Sequence, residues 1–479
     1  MDLKQVIDPG TRPQRCVIIA VDGARRDYLE RSDSPAQRSL VERGVGFRNA
    51  IASNGLAETA NGFSTIATGV TTSGHGVFTS REWYDRERDV LEYVYDAENN
   101  DLKLAAPTAA QLIKDHLPDT RVASISTKDR LAVILGGPTA DLVAYSYREH
   151  VFHRHVKGSY TGKGVTDDAY LYTERVGYEL PDYLKRLQMP RQVHWQGPGF
   201  DHPDQDTADT AVTDGFVMDG ALEIIEHMDP HVLYIGLVAS NIVGHKYGPD
   251  SPEMWETYRG VDEQVGRLLD LLERRGTIDQ TLFIVTSDHG MAMKPQGVDI
   301  TTELEQRFGK KLVDNIKYTF AGSAGGVYLK DISRPAVDEM VSALRELPHM
   351  QGAWWKSDPE APWFVRRMDH PHTADILVVP ERDWVILDPG ITETNVVAHH
   401  GPQYPADVNI VQIFSGPGIK KLGWYGEPLD LNSDQLLTEE QVAGLPEHMD
   451  VAPLMLELFG VPLPEGVMQQ AGGAARARV

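Results

Sequence analysis

The sequence of 479 residues contains a single cysteine, Cys16, and so cannot form a disulfide within the chain. Cys16 begins a short apolar run, which favours a buried, unreactive thiol. No segment approaches the ~20 apolar residues of a membrane span, and residues 1–15 lack the apolar stretch of a signal peptide. These absences predict a cytoplasmic protein with no membrane partner, unless a leader has been removed.

Basic residues are also scarce. The sequence has 46 lysines and arginines against 70 aspartates and glutamates, which gives a formal net charge of -24. A surface of this sign disfavours a nucleic-acid polymer as a partner. A small anionic substrate would have to be attracted by a local cationic group such as a bound metal ion. The composition leaves the oligomeric state undetermined.

Short apolar runs that end in polar residues predict buried parallel strands. They lie at 17–21, 121–126, 232–238 and 282–286. Between them, a helix is predicted from Ala106 through His116 with Pro107 in its first turn. A longer helix is predicted after Pro252, with one apolar face formed by Val261, Val265, Leu268 and Leu272. This alternation predicts an α/β fold: a doubly wound, mostly parallel sheet with helices on both faces.

Two segments interrupt the alternation and are interpreted as inserted caps within one catalytic domain, 14–460. Residues 145–200 carry ten aromatic side chains, where the chain average of 8% gives about four or five, so an aromatic-rich cap is predicted at 135–213. A second insertion, with short strands and prolines, is predicted at 295–393. Residues 1–13 and 465–479 are predicted to be flexible termini.

Polar clusters follow the predicted strands, where ligands bind in such sheets. The four clusters are Asp22-Gly23, Asn241 to His245, Asp288-His289-Gly290 and His399-His400-Gly401. An aspartate after a strand often only caps a helix. Carboxylates and imidazoles gathered at one sheet edge, however, are the ligand types expected for zinc or manganese.

The longest motifs resemble those of the alkaline phosphatase superfamily, in particular its phosphonoacetate hydrolases and nucleotide pyrophosphatase/phosphodiesterases. The most specific stretch is Thr59-Ala60-Asn61-Gly62-Phe63-Ser64-Thr65-Ile66-Ala67-Thr68-Gly69, followed by Gly74-His75-Gly76. The resemblance continues in Asn241-Ile242-Val243-Gly244-His245 and in Thr286-Ser287-Asp288-His289-Gly290. It implies an alkaline phosphatase-like fold and a hydrolase with two divalent metal ions.

The resemblance also implies roles for individual residues. Thr59 matches the family's nucleophile, ten residues before Gly69. One metal ion would be held by Asp22, Thr59, Asp288 and His289, and the second by Asn241, His245 and His400. His400 is preferred to His399 because it precedes Gly401, as in the family's His-Gly pair. A threonine in this place can also serve as a helix N-cap, and both roles are compatible.

The sequence departs from the family at two places. The family has an aspartate where this chain has Asn241, whose amide oxygen can coordinate but carries no charge. Asn241 is either natural, implying an altered second site, or an introduced change that traps substrate. Relatives also place a phosphate-binding asparagine about twenty residues after the nucleophile, where Ser80 or Arg81 would have to supply the donor here.

The substrate is predicted to be a small anion, a nucleotide or a phosphonate. Lys128 and Arg130 match the pair that meets the substrate carboxylate in phosphonoacetate hydrolases, and either can pair with any oxyanion. The aromatic cap favours a nucleotide phosphodiester, such as a cyclic or linear dinucleotide, because nucleobases stack on aromatic faces. The alternatives are phosphonoacetate hydrolysis, with cleavage of the C–P bond, and a catalytically impaired protein that binds its ligand without turnover.

Overall fold

The computed structural model describes residues 1–79, 82–96, 101–147, 180–187, 210–394 and 396–467, with short pieces at 153–154, 160–161 and 170–172. At its centre is a nine-stranded sheet. Its strands, numbered along the chain, are β1 (Arg15–Val21), β2 (Gly44–Phe47), β3 (Val122–Ser126), β4 (Leu142–Tyr147), β5 (Tyr170–Tyr172), β6 (Val232–Leu237), β7 (Thr281–Thr286), β8 (Gln412–Ser415) and β9 (Gly423–Tyr425).

The strand order across this sheet is β5-β4-β3-β6-β1-β7-β8-β2-β9. The neighbours from β4 through β7 are parallel, as are β2 and β9. The antiparallel pairs involve β5 at one edge and β8 beside β7 and β2. The predicted α/β fold with a mostly parallel sheet is confirmed, and each of the four strands predicted from apolar runs lies in its parallel core.

Both faces of the central sheet are covered. In β1, Cys16, Ile18 and Ala20 join the apolar cluster on one face, whereas Val17, Ile19 and Val21 join the cluster on the other. Successive side chains of a strand point to opposite faces, so a strand buried on both sides has a continuous apolar sequence. Cys16 is only 1% exposed, and burial raises the pKa of its thiol. The predicted burial of this thiol is therefore confirmed.

Helices lie on both faces of the sheet. Among the described residues, those of eight or more residues are α1 (Pro35–Arg43), α2 (Thr59–Thr68), α3 (Ala109–His116), α4 (Asp129–Gly136), α5 (Thr210–Met228), α6 (Ala239–Tyr247), α7 (Pro252–Arg274), α8 (Ile300–Phe308), α9 (Arg334–Arg345) and α10 (Val451–Phe459). The helices α2, α3, α4 and α10 pack on the face that contains Ile18, and α1, α5 and α7 on the face that contains Val17. The sheet is thus doubly wound, as predicted.

The structure confirms the predicted start of one of the two helices predicted in detail and differs from the prediction for the other. Helix α7 begins at Pro252 and buries all four residues of its predicted apolar face. Helix α3 begins at Ala109 rather than Ala106, so the predicted start was wrong. The side chain of Thr108 accepts a hydrogen bond from the backbone N–H of Gln111 at 3.1 Å and caps the helix, which places Pro107 before the cap.

Residues 295–393 contain an antiparallel sheet with the strand order Ile316–Phe320, Gly325–Leu329, Ile376–Pro380, Met350–Trp355. Helices α8 and α9 join this sheet in a separate apolar cluster. The predicted cap at 135–213 lies largely outside the described residues, and the domain boundaries stay predictions. At the predicted flexible N-terminus, Val6 is buried and Ile7 forms a β-bridge with Ile419.

The remaining elements are short. Two-stranded pairs are formed by Glu82–Asp85 with Val90–Tyr93, Tyr95–Asp96 with Asp101–Leu102, His153–Arg154 with Tyr160–Thr161, Ala292–Met293 with Ala398–His399, and Gln296–Val298 with Trp384–Ile386. Short helices are Leu3–Gln5, Arg26–Arg31, Thr72–His75, Asp182–Lys185, Ile278–Gln280, Lys310–Val313, Trp363–Arg366, Pro405–Val408, Glu439–Val442 and His448–Asp450. In the described part of the chain, no helix has both the length and the apolar character needed to cross a bilayer.

Candidate active site

Two adjacent parallel strands bring three ligand-type side chains to one point. Asp22 directly follows β1, and Asp288 and His289 follow β7, its neighbour in the sheet. Nε2 of His289 lies 3.4 Å from Oδ1 of Asp22 and 3.2 Å from Oδ2 of Asp288. All three side chains are fully buried, and one ligand atom from each falls within 4.8 Å of the others. The structure therefore brings together three of the predicted ligands of the first metal ion.

Four buried polar atoms of the predicted ligands have no hydrogen-bond partner: Asp22 Oδ1, Asn241 Oδ1, Asp288 Oδ2 and His289 Nε2. The second oxygen of each carboxylate is held, since Lys128 Nζ bonds Asp22 Oδ2 and the Gly23 N–H donates to Asp288 Oδ1 at 3.1 Å. An unsatisfied buried polar atom costs about 1–3 kcal/mol. Carboxylate, amide and imidazole atoms left unpaired side by side fit a divalent cation.

Three predicted imidazole ligands are held in the same way. Nδ1 of His245, His289 and His400 lies 2.9, 2.8 and 2.8 Å from the carbonyl oxygens of Ala398, Gly290 and Ala57, in that order. A carbonyl can only accept, so each Nδ1 carries a proton, and in the neutral imidazole Nε2 keeps its lone pair. This arrangement is typical of histidines that bind metal ions through Nε2.

The charges of the two predicted sites differ. Burial alone would raise the pKa of Asp22, but the positive charge of Lys128 holds it well below its usual value. Burial and the neighbouring Asp22 raise the pKa of Asp288 to about 7. Burial lowers the pKa of His245 to about 4 and that of His400 well below its ordinary value. Asp22 at the first site is therefore ionised at neutral pH, whereas the imidazoles of His245 and His400 at the second are neutral and able to coordinate.

The predicted ligands of the second metal ion adjoin the first site. Asn241 and His245 lie on α6, not in a loop after β6. Asn241 packs against Gly23, since a Cβ added to Gly23 would lie 3.2 Å from the Cα of Asn241. The rings of His289 and His400 stack with centroids 3.3 Å apart, and His245 lies 5.2 Å from His400 between ring centroids. The two predicted sites thus adjoin each other through the stacked rings of His289 and His400.

Thr59 is the first residue of α2 and is 3% exposed, with Glu58 at the N-cap position. One turn into the helix, a Cβ added to Gly62 would lie 2.6 Å from the Cβ and the carbonyl oxygen of Asp288. Glycine at this position lets the start of α2 approach the first site closely. The N–H groups of a helix start have no partner within the helix and attract anions, so a phosphoryl group at Thr59 would be favoured.

The predicted substrate-binding residues fall into two groups. Lys128, which follows β3, forms an ion pair with Asp22, and burial lowers the pKa of its ammonium group despite that pairing. Arg130, in the first turn of α4, has Nη1 3.8 Å from Oδ1 of Asp129. Lys128 therefore lies at the first predicted metal site itself. Ser80 and Arg81 lie outside the described residues, so their roles stay predictions.

One ligand-type residue beside this site, Glu58, was not predicted from the sequence. One carboxylate oxygen of Glu58 and one ring nitrogen each of His399 and His400 lie within 4.8 Å of one another. Glu58 had one sequence signal, its place directly before the predicted nucleophile. His399 had been set aside in favour of His400.

Two buried histidines, His75 and His448, lie next to α2. His75 accepts at Nδ1 from the Val77 N–H, at 3.1 Å, so its Nε2 carries the proton and donates to Thr65 of α2, at 2.9 Å. His448 is also fully buried, and neither of its ring nitrogens has a hydrogen-bond partner. Burial lowers the pKa of both histidines to about 3. Each must therefore stay neutral in the folded protein.

We expect these histidines to make the protein sensitive to acid, and His448→Leu to reduce that sensitivity. Between about pH 3 and the unfolded-state value of ~6.5, the unfolded chain binds the extra proton, so stability falls as the pH falls. The substitution should lower the slope of unfolding free energy against pH by up to ~1.4 kcal/mol per unit. Urea denaturation from pH 7 to pH 4 measures this slope. His116→Leu, on the exposed side of α3, is the control, and equal slopes in the two variants would contradict the expectation.

Comparison with known proteins agrees with this geometry. A family model for type I phosphodiesterase / nucleotide pyrophosphatase matches residues 16–403. The alkaline phosphatase PhoK of Sphingomonas sp is 24% identical over 424 residues, which cover 77% of this chain and 71% of that protein. Wild type alkaline phosphatase PafA has a crystal structure similar to this fold, with a TM-score of 0.73 and 18% identity over 96% of this chain and 98% of that chain.

A further solved structure is that of murine ectonucleotide pyrophosphatase / phosphodiesterase 5, in an inactive form in complex with AMP. Its TM-score is 0.63 at 16% identity, over 94% of this chain and 96% of that chain. At such identities the structural likenesses show the fold alone. The family match, in contrast, covers more than half of the chain and confirms the predicted resemblance. This chain therefore belongs to the type I phosphodiesterase / nucleotide pyrophosphatase family, a group of metal-dependent phosphoester hydrolases in the alkaline phosphatase superfamily.

Proposed function

We propose that this protein is a two-metal phosphodiesterase that cleaves a nucleotide phosphodiester, with Thr59 as the nucleophile. The observation that carries the proposal is the convergence of four unpaired buried atoms, from Asp22, Asn241, Asp288 and His289, beside the start of α2. Zinc or manganese would be held by Asp22, Thr59, Asp288 and His289 at one site and by Asn241, His245 and His400 at the other. Two bound divalent ions would lower the pKa of the attacking hydroxyl and would stabilise the negative charge of the phosphoryl oxygens.

The protein's own residues perform the other parts of the reaction. The Thr59 hydroxyl attacks phosphorus and forms a phosphoryl-threonine, with departure of the alcohol or nucleoside portion. Water then attacks the same phosphorus, which releases the phosphorylated product and restores the hydroxyl. The backbone N–H groups at the start of α2 bind the phosphoryl oxygens. Arg130 supplies positive charge at the edge of the site for the remainder of an anionic substrate.

Two observations favour a nucleotide over phosphonoacetate. Lys128, which would meet a phosphonoacetate carboxylate, is already paired with Asp22. A murine protein of similar fold, itself named a nucleotide pyrophosphatase / phosphodiesterase, has been solved with AMP. Aromatic residues of the predicted cap, outside the described part of the chain, would stack on the base. The binding-only alternative rests on Asn241, whose side chain brings no charge to the second site.

We expect a hydrolysis panel to show this preference. With added zinc or manganese, kcat/KM for a p-nitrophenyl nucleotide diester or a cyclic dinucleotide should exceed that for p-nitrophenyl phosphate or phosphonoacetate by at least ~10-fold, or ~1.4 kcal/mol of transition-state binding. The purified protein should hold two metal ions per chain. Preference for phosphonoacetate would select the C–P cleavage alternative. Nucleotide binding without hydrolysis, in both the native protein and Asn241→Asp, would select the binding-only alternative.

A further inference from the structure

The predicted ligands of the second metal ion carry no negative charge. Its three predicted ligands are the amide of Asn241 and the neutral imidazoles of His245 and His400, so no ligand opposes the charge of a divalent ion. A charge placed a few ångströms from a dication contributes strongly even at an effective dielectric constant near ~20. A second site that binds metal firmly should therefore contain a carboxylate from elsewhere in the chain.

Glu58 brings a carboxylate to this place. One of its oxygens lies within 4.8 Å of a ring nitrogen of His399 and of a ring nitrogen of His400. Although Glu58 occupies the N-cap position of α2, its side chain does not cap the helix. The carboxylate of Glu58 lies beside histidines, and Thr59 directly follows Glu58 in the chain. Its position is thus set by the same helix start that places the predicted nucleophile.

The two histidines beside Glu58 differ in the nitrogen that carries the ring proton, and His400 presents a lone pair to a metal ion. In His400, Nδ1 donates to the Ala57 carbonyl at 2.8 Å and leaves Nε2 as the acceptor. In His399, Nδ1 accepts from the backbone N–H of His400 at 2.8 Å, so the proton of the neutral ring lies on Nε2. His245 lies 4.9 Å from His399 and 5.2 Å from His400 between ring centroids. The imidazoles beside Glu58 therefore adjoin His245, a predicted ligand of the second ion.

We infer that Glu58 is an anionic ligand of the second metal ion, beside His400, and supplies the charge that Asn241 lacks. This inference rests on the proposed two-metal function and names a ligand set for its second site. It makes Glu58 and Asn241 interdependent, because the need for the Glu58 carboxylate should fall when position 241 carries a charge of its own.

Calorimetric titration of the metal-free protein with Mn²⁺ tests this inference without measuring activity. Glu58→Gln should weaken the weaker of the two sites by at least ~10–100-fold, the range found even for groups that only support a ligand. The tighter site should change by less than ~3-fold, since Asp22, Asp288 and His289 are unchanged. Glu303→Gln, the same substitution on α8, should leave both affinities unchanged. In the Asn241→Asp background, the effect of Glu58→Gln should shrink by at least ~5-fold, as expected for coupled sites.

The possible outcomes separate this inference from the proposed function. If the native protein binds two Mn²⁺ ions and Glu58→Gln binds both with unchanged affinity, Glu58 is not a ligand, whereas the two-metal proposal stands. If the native protein binds fewer than two ions, the proposed function itself fails. A melting temperature of metal-free Glu58→Gln close to that of the native protein shows that the variant is folded. If Glu58→Gln does not fold, Glu58→Asp and Glu58→Ala are titrated in its place. Binding of the second ion by Glu58→Asp within ~10-fold of the native affinity supports the inference. A titration of Glu58→Ala that matches the native protein overturns it.

Discussion

Thr59→Ala is expected to lower kcat/KM for a phosphodiester by at least ~1000-fold, because removal of an enzyme's nucleophile leaves only binding and electrostatic contributions to catalysis. The fold should survive, since the hydroxyl lies at the start of α2 and the N-cap position is that of Glu58. Steady-state kinetics measure the loss, and mass spectrometry of acid-quenched enzyme should detect a phosphorylated peptide containing Thr59 in the native protein only.

Thr68→Ala is the matched control for this prediction. Thr68 lies at the other end of the same helix, is fully buried, and donates to the Ser64 carbonyl at 2.7 Å. This variant should lose about 1 kcal/mol of stability with its hydrogen bond and keep most of its activity. If Thr59→Ala retained a tenth or more of the native kcat/KM, the covalent mechanism would have to be abandoned.

Asp288→Asn is expected to weaken the first metal site by at least ~1000-fold, or ~4 kcal/mol. The substitution keeps the shape of the side chain and an acceptor for the Gly23 N–H, but removes a negative charge from a fully buried position beside a dication. Titration of the metal-free variant and the metal content of the purified protein measure the effect. Turnover should fall in parallel at metal concentrations that saturate the native enzyme.

Asp262→Asn provides the comparison for Asp288→Asn. Asp262 is 3% exposed and accepts from the N–H groups of Ala36 and Gln37 at 2.9 and 2.8 Å, on the opposite side of the sheet from α2. Its replacement should lower stability by about 1–3 kcal/mol without changing metal affinity. Equal metal affinities in the Asp288→Asn variant and the native protein would remove Asp288 from the ligand set.

The parts of the fold that follow from local sequence were predictable. The run from Cys16 to Val21 is apolar at every position because β1 is buried on both faces, and Val261, Val265, Leu268 and Leu272 recur at helical spacing because one side of α7 packs against the sheet. The start of α3 was misplaced because the capping hydrogen bond of Thr108 competes with the preference of proline for a first turn. Such competition between local signals is decided by side-chain geometry.

The arrangement of the site depends on contacts between distant segments. Gly62 and Asp288 touch because α2 packs across the end of β7, and no local pattern in either segment records that meeting. For the same reason the sequence suggested histidine and aspartate ligands one by one but not the approach of Glu58 to His399 and His400. The pairing of Lys128 with Asp22, across strands β3 and β1, was likewise not predicted.

The ligand-type residues come from chain positions as far apart as 22 and 400, with others near 58, 241 and 288. Every loop between them must close before the metal sites exist, and such long-range closure is slow. Metal ions that bind only the folded chain stabilise it by about 4 kcal/mol per site at a free concentration ~1000-fold above Kd. Metal loading should therefore report completion of folding: a nascent or truncated chain that lacks the residues near 400 cannot assemble the second site, and chelation should lower the melting temperature of the whole domain.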